Sequence, residues 1–571
     1  MQRILQRYLE RSPATDVGAR LVRAVVLLLL GSSVAIGAAA ADIYLHRGIE
    51  SGAEQPYVTH PTGREAAVNV DLLQFDENQR QQIASVLANN GFRYVRQTFA
   101  WSEIEPERGR FNWNEYDRIV DHMRTSGIEV VAVLAQSPEW SRSSENTALP
   151  DAPPLYSSDY AAFVGELVRH YEGAVRFFQL WDQPNRADRW GGTAAKPSDY
   201  VQLLAEAFNA IRGANTEARV VLAELAPTYD NGQVGSDLGF LRGIYDAGGD
   251  DFFDIVAIQI DGGLSAPYDR QVNSHQESLS RAILFRELLI DSAERDKPIW
   301  FTHYGWKSAP DGGVTPEEQA DFTIAGLRRA RSEWPWVGLM FNWSFLPDEN
   351  DPTTVGRSLL APGGTVTPTF TALSELAAGA AGATAGTGFV PMESSPISTT
   401  GNWADQFLNG VTFRTTGETG ASTELQFRGT GVIALLRISP QAGQILATID
   451  GEPLDGWPKQ DGAALIDLSA FQAQDLPIEL ANGLDDSMHT LTLSLAGPGQ
   501  FTIGGLVVSR EPPLLWPVII LIVIALGIVA AGLRDVIYVI ALHVNVLQRR
   551  IGVDLRPPLP RLPDWRPARR F

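Results

Sequence analysis

The chain of 571 residues contains no cysteine. That excludes disulfides and thiolate metal sites, and it removes cysteine pairing as a clue to redox compartment. Positive charge is also scarce: 46 Lys and Arg face 67 Asp and Glu, for a net charge of -21. A surface that grips phosphate needs a basic patch. No run of the chain supplies one, so nucleic acid is excluded as a partner. Apolar residues, by contrast, make up 44 % of the chain. That is ample for a large core, in a chain too long for one typical domain.

Two segments suit hydrocarbon. Ala24 to Ala41 is apolar or small throughout, follows Arg20 and Arg23, and ends at Asp42. Ile43-Tyr44-Leu45 can extend it to spanning length. Ala38-Ala39-Ala40 also resembles a cleavage site, so the stretch reads either as a retained anchor or as a signal peptide. The expectation adopted is a transmembrane helix over 24–45. Leu514 to Leu533 is uncharged, with Trp516 near one end and Arg534 at the other, and reads as a second transmembrane helix. Arg3, Arg7, Arg11, Arg20 and Arg23 lie before or at the start of the first span, and Arg534, Arg549 and Arg550 follow the second. This bias puts the leader 1–23 and the Pro/Arg-rich tail 534–571 in the cytoplasm, and residues 42–513 outside it. Val536 to Leu547 either prolongs the second helix or lies along the inner leaflet. The lipid bilayer is therefore an expected partner, and the protein a two-pass resident of the cell membrane.

Between 65 and 380 the chain alternates short apolar runs with amphipathic stretches. Ala66 to Leu73, Phe92 to Thr98, Ile128 to Ala135 and Val175 to Trp181 read as strands, as do Arg219 to Glu224, Phe253 to Ile258, Pro298 to His303 and Trp336 to Trp343. The helices between and after them are Glu77 to Asn89, Trp113 to Thr125, Ser158 to Tyr171, Ser198 to Arg212, Leu238 to Ala247, Gln276 to Ala293, Pro316 to Ser332 and Pro368 to Ala377. Eight such pairs predict an α/β fold of the (β/α)8 TIM-barrel type; a doubly wound sheet with fewer strands is the alternative. A Gly/Ala/Thr-rich stretch then opens a linker over 381–401. From 402 to 510 the period shortens to that of strands, as in Ser422 to Phe427, and predicts an all-β sandwich. A jelly roll fits its length and spacing, with an immunoglobulin-like order not excluded. Only Trp457 stands out there as an aromatic platform, so the sandwich reads chiefly as a pedestal.

The barrel resembles the retaining glycoside hydrolases of (β/α)8 fold, nearest to the family 39 xylosidase and iduronidase group, with family 5 behind. Phe92-Arg93-Tyr94-Val95-Arg96, Trp101-Ser102-Glu103-Ile104-Glu105-Pro106, Gly109-Arg110-Phe111-Asn112-Trp113 and Ser137-Pro138-Glu139-Trp140 carry the likeness. In that clan the fourth strand ends in Trp-Asn-Glu-Pro-Asn, whose Glu is the general acid/base. This chain has Trp181-Asp182-Gln183-Pro184-Asn185. The seventh strand ends in Thr-Glu-x-Gly, whose Glu is the nucleophile; here the match is Thr302-His303-Tyr304-Gly305. The sixth usually ends in His-Pro-Tyr, against Gln259-Ile260-Asp261 here. Trp343 matches the tryptophan that floors the family's sugar site. The resemblance thus implies a glycosidase body with both catalytic glutamates replaced, by Gln183 and His303.

Those replacements matter chemically. Retaining hydrolysis needs a carboxylic acid and a nucleophilic carboxylate about 5–5.5 Å apart. A glutamine has no proton to give, and an imidazole would build positive charge beside an oxocarbenium-like centre. Hydrolysis of this kind is therefore not expected. Relocated carboxylates are the alternative, with Asp182, Glu224 and Asp261 at the ends of strands four, five and six. The expected ligand contacts are Arg96, Trp140, Trp181, Asp182, Gln183, Gln259, His303, Trp306 and Trp343, since aromatic faces suit a pyranose and polar groups satisfy its hydroxyls. His303 has no second histidine at ligand spacing, so neither a metal nor another cofactor is expected. Two readings follow: a membrane-tethered pseudoenzyme that binds an envelope or exported polysaccharide or docks in a membrane-protein assembly, or a working carbohydrate enzyme with relocated acids.

Overall fold

The computed structural model describes residues 15–58, 66–146, 149–193, 195–228, 236–348, 351–378, 384–408, 411–512 and 515–552. The tail beyond 552 and the leader before 15 lie outside the described residues. Two compact units emerge: the terminal helices, and everything from Gly48 to Pro512.

In the larger unit, eight parallel strands form a nearly closed ring. They are β1 Ala66–Asn69, β2 Phe92–Ala100, β3 Glu129–Ala135, β4 Phe177–Leu180, β5 Arg219–Val221, β6 Val256–Asp261, β7 Ile299–Gly305 and β8 Val337–Asn342. Neighbours follow chain order, with β1 also paired to β8. The seam between β5 and β6 is held by single bridges, Val221 to Ile255 and Leu225 to Ile258. Ala67, Tyr94, Val131, Phe177, Val221, Trp300 and Phe341 pack as one cluster inside the ring. Apolar strand faces turned outward meet eight helices: α2 Glu77–Asn89, α3 Asn114–Thr125, α4 Ser157–His170, α5 Pro197–Ala214, α6 Asp237–Asp246, α7 Ala282–Asp291, α8 Pro316–Glu333 and α9 Pro368–Ala378. Local sequence starts several of them. Asp76 with Gln79, and Thr315 with Glu318, form reciprocal capping boxes that satisfy otherwise orphaned N–H groups.

Three expectations shift. The first strand ends at Asn69, because the Asp71 carboxylate accepts from Leu73 N at 3.1 Å and turns the chain into a one-turn helix. The helix expected from Gln276 begins only at Ala282: the Arg281 side chain is buried against Asp237 (2.5 and 2.6 Å), which fixes an irregular approach instead. The stretch expected as linker over 381–401 supplies two sandwich strands. These are β9 Gly388–Pro391, paired with Phe501–Ser509, and β10 Ile397–Thr400, paired with Ser422–Ile438. Val390 and Ile397 are buried in the sandwich core, which is why a Gly/Thr-rich stretch still forms strands there.

The rest of the sandwich is antiparallel, with the 422–438 and 474–495 strands paired along nearly their whole length. It is joined to the barrel rather than hung from it. Thr387 donates its N–H to Arg331 O and its hydroxyl to Ser332 O at the end of α8. Glu50 holds Arg286 of α7 at 2.7 and 2.9 Å, while the neighbouring Ser51 carbonyl accepts from Arg510 N.

The smaller unit is a pair of long helices, α1 Thr15–His46 and α10 Trp516–Ile551. Both are long and apolar enough to cross a membrane. The stretch 536–547 prolongs α10 without a break. The helices run antiparallel: Arg23 holds Asp535 at 2.6 and 2.8 Å, Gly532 faces Ala24 and Leu28, and Gly31 faces Ala525 and Val529. Small residues let the backbones approach. A Cβ at Gly532 would stand 3.3 Å from that of Leu27, close to the ~3.5–4.5 Å a disulfide spans. In this cysteine-free chain, Leu27→Cys with Gly532→Cys is expected to oxidise to a single intrachain crosslink, seen as a mobility shift reversed by reductant. Two thiols that stay free under oxidant would contradict the pairing.

Candidate functional site

At the C-terminal ends of the strands, where barrels of this kind carry their chemistry, one buried polar network joins most of the expected residues. Its hub is Arg96 of β2. The guanidinium donates to Gln179 Oε1 (2.9 Å), Asn69 Oδ1 (3.1 Å) and Asp182 Oδ1 (2.9 Å), and Nη2 also lies 3.3 Å from Glu224 Oε2. Every direction of its planar fork is used, which is how a buried arginine is tolerated.

Glu224, just past β5, is fully buried, at 0 % side-chain exposure. Its two oxygens lie 2.9 and 2.7 Å from His303 Nδ1, and Gln183 Nε2 donates to Oε1 at 3.3 Å. Burial alone would raise its pKa. The imidazole of His303, the guanidinium of Arg96 and the amide of Gln183 outweigh burial and hold it well below the usual carboxylate range. An ionised carboxylate only accepts, so Nδ1 of His303 is the donor. The imidazole, 18 % exposed, stands 5.2 Å from the ring of Trp343.

The backbone around this network is bent for the purpose. Gln136 after β3 (φ 64°), Trp181 after β4 (φ 74°) and Gln183 (φ 46°) all adopt left-handed conformations that side chains rarely take. Such outliers cost about 1–3 kcal/mol each and persist where the surroundings over-determine them. Gln183 is held by its N–H to Glu224 O (2.9 Å) and its side chain to Glu224 and Gln259. Gln259 is in register with His303 across β6 and β7.

The remaining expected residues divide. Asp182 is 24 % exposed and bound to Arg96 and Gln179. Asp261 accepts from Gly263 N and pairs with Arg357, whose guanidinium lies 4.5 Å over the Trp343 ring. Trp181 and Trp306, expected as sugar platforms, are 1 % exposed. Trp181 is wedged edge-on against Tyr160 and Trp190, and Trp306 against Tyr304 and Phe322, sealing the gap between strands and helices. Trp140 has its face under Arg108 and its edge on Trp101. None of these three indoles belongs to the network.

Two residues escaped the sequence reading. Arg357 sits in the connection after β8, where nothing in its neighbourhood marks it. Asp151 lies in the long connection after β3. Its pKa is raised by burial, with Asp182 and Asp188 adding to the rise against Arg189 and Gln136. The length of that connection was the available signal.

Arg96 touches both Asp182 and Glu224 through one nitrogen, so those carboxylates lie closer than the ~6.5–9.5 Å that an inverting pair needs for sugar and water. Glu224 is also shut off from any substrate. What the arrangement offers is an imidazole braced by a buried carboxylate, amides, and one partly exposed acid.

Residues 72–150 match the family model described as β-galactosidase of glycoside hydrolase family 42. Among solved structures, the chain is similar to a family 39 glycoside hydrolase from the gut symbiont Bacteroides cellulosilyticus, at 16 % identity and a TM-score of 0.46, covering 76 % of this chain and 81 % of that one. It is also similar to a glucosidase from Croceicoccus marinus (14 %, 0.44, covering 79 % and 98 %). A third is a family 5 enzyme from Streptomyces cattleya in complex with GlcNAc (14 %, 0.43, covering 55 % and 80 %).

Glu224→Gln breaks a buried ion network, and about 3–5 kcal/mol of stability is expected to go with it. Because the native pKa of Glu224 is depressed, its contribution is present above the ordinary carboxylate value, roughly pH 4, and is lost as pH falls toward the depressed one. Unfolding measured from neutral to acid pH should show wild type and variant converging below about pH 4. A constant gap at all pH would contradict the ionised, paired Glu224.

Proposed function

We propose that this is a membrane-anchored protein whose extracytoplasmic barrel binds a glycan at its C-terminal face without retaining hydrolysis. The observation that carries the reading is the commitment of Glu224: the one carboxylate at the centre of the network is buried and spent on His303, Arg96 and Gln183. Gln183, just past β4, and His303, near the end of β7, stand where the clan it resembles keeps its acid and nucleophile. Neither does the work of a carboxyl group there.

The anchoring half of the proposal rests on α1 and α10. An antiparallel pair puts the two chain ends on one side of a bilayer, and residues 48–512 on the other. Arginines cluster toward the chain ends, before and within the first turns of α1 and along the last part of α10, consistent with a cytoplasmic face. A polysaccharide of the envelope, or one on its way out, is the ligand such a position suits. A membrane-protein assembly around the two helices is the companion expectation.

One observation favours a second reading, an active carbohydrate enzyme. Burial, with the charge of Asp182 adding to it, pushes Asp151 toward its protonated form. A carboxyl held toward its protonated form by burial is suited to general-acid work.

Turnover of aryl glycosides, together with glycan-array binding, separates the two. Saturable binding with no turnover is expected of the wild type; turnover abolished by Asp182→Asn or Asp151→Asn would establish the second reading instead. Restoring the clan's residues is a further test. A carboxylate at position 303 would abut Glu224, so Gln183→Glu with His303→Glu should remain silent. Adding Glu224→Gln removes that like-charge contact and leaves one carboxylate at each of the two clan positions, and this triple variant is expected to gain aryl-glycoside hydrolysis. Equal hydrolysis by wild type and triple variant would contradict the proposal.

A further inference from the structure

Two seams run along α10 on opposite faces, and α1 takes only one of them. Ala525, Gly532 and Asp535 lie on the side that meets α1. On the other side, Ile537, Ile540, Val544, Leu547 and Ile551 are each 46 to 64 % exposed. They recur at alternating intervals of three and four residues, the heptad spacing by which one helix packs along another. Val523, Leu526 and Leu533 carry the same spacing back through the span and are exposed as well.

Within the span such a stripe decides nothing, because lipid covers any apolar face. Past Arg534 it carries information. Arg534, Asp535, His543, Asn545, Gln548 and Arg550 all fall at other heptad positions, so the seam stays wholly aliphatic while polar residues gather around it. The 36 residues of α10 form one unbroken helix, about 54 Å long at 1.5 Å per residue. Hydrocarbon accounts for about 30 Å of that length. The last turns therefore stand clear of the bilayer and leave five large aliphatic side chains facing water.

The residue types specify the partner. Ile537, Val544 and Ile551 share one seam position, while Ile540 and Leu547 share the other. β-Branched residues at the first and leucine at the second favour two parallel strands. A bilayer imposes the same direction, since every copy inserts the same way round. In a parallel pair the flanking positions set Val536 against Ala541 and His543 against Gln548, so no like charges meet. Covering the five side chains withdraws roughly 500 Å² per helix and roughly 1,000 Å² for the pair, where specific interfaces begin. Resting on the membrane-anchored reading above, we propose that the segment of α10 past Arg534 pairs with its counterpart in a second copy of this chain, as a parallel two-stranded coiled coil.

The chain has no cysteine, so single substitutions in the full-length protein report contact between copies. In membranes treated with oxidant, Leu547→Cys is expected to run as a disulfide-linked dimer that reductant reverses. Asn545→Cys, exposed but off the seam, should stay monomeric. Light scattering of the unsubstituted chain in detergent should give twice the monomer mass. Ile540→Glu with Leu547→Glu should halve that mass and leave the circular dichroism unchanged. A wild type of monomer mass that stays in the membrane overturns the dimer alone, as does crosslinking equally strong at 545 and 547. Crosslinking from 547 to a different protein gives the seam another occupant and overturns it too. Release of the chain from membranes by alkaline carbonate overturns the anchoring reading and this proposal with it.

Discussion

The barrel mouth is governed by the cost of holding charge away from water. An isolated carboxylate as deep as Glu224 would neutralise itself. It stays ionised because an imidazole, a guanidinium and an amide converge on it, and each of those groups is fixed in turn. Arg96 is spread over Asn69, Gln179 and Asp182. Gln183 is held in a left-handed turn whose strain the network supports. Five strands of the ring therefore contribute to one electrostatic arrangement, and no member can change sign without disturbing the others. The central charge is internal: Glu224 is fully buried and braces His303.

The layers around this network show the same division between structure and site. Trp181 and Trp306 take up the space between strands and helices, and so lend shape to the mouth without facing it. Trp343 is left as the indole at the network's edge, flanked by His303 and Arg357. On the far side of the barrel, the sandwich is locked to α7 and α8 through Thr387, Glu50 and Arg510. A site that depends on hydrogen-bond geometry benefits from so firm a support.

Much of this was legible in the sequence, and the limits are instructive. The strand and helix periods marked all eight β/α pairs, because apolar periodicity is imposed by burial and barrel burial is regular. The positions of Asp182, Gln183, Glu224, Gln259, His303 and Trp343 followed from where strands end, whereas Arg96, inside β2, came from the family resemblance. What the sequence could not convey was direction. Whether Glu224 faces ligand or core depends on two further bridges past β5, and period-two reasoning cannot resolve a three-residue strand. Trp181 and Trp306 are buried rather than presented to a ligand, and a large aromatic at a strand end serves equally well as a floor or as a wedge. Arg357 and Asp151 come from irregular connections, where no period exists to read. The early part of the sandwich was missed because Gly and Thr dominate it, and only pairing with distant strands makes it β.

The pairing of Glu224 with His303 is the claim from which the rest descends, and histidine NMR reads it directly. With 15N-labelled histidine in the full chain, one of the eight histidines should show an Nδ1-bound proton strongly shifted downfield, protected from solvent, and absent from the Glu224→Gln variant. A spectrum in which His303 carries no such proton, and exchanges with water at both nitrogens, would contradict the account.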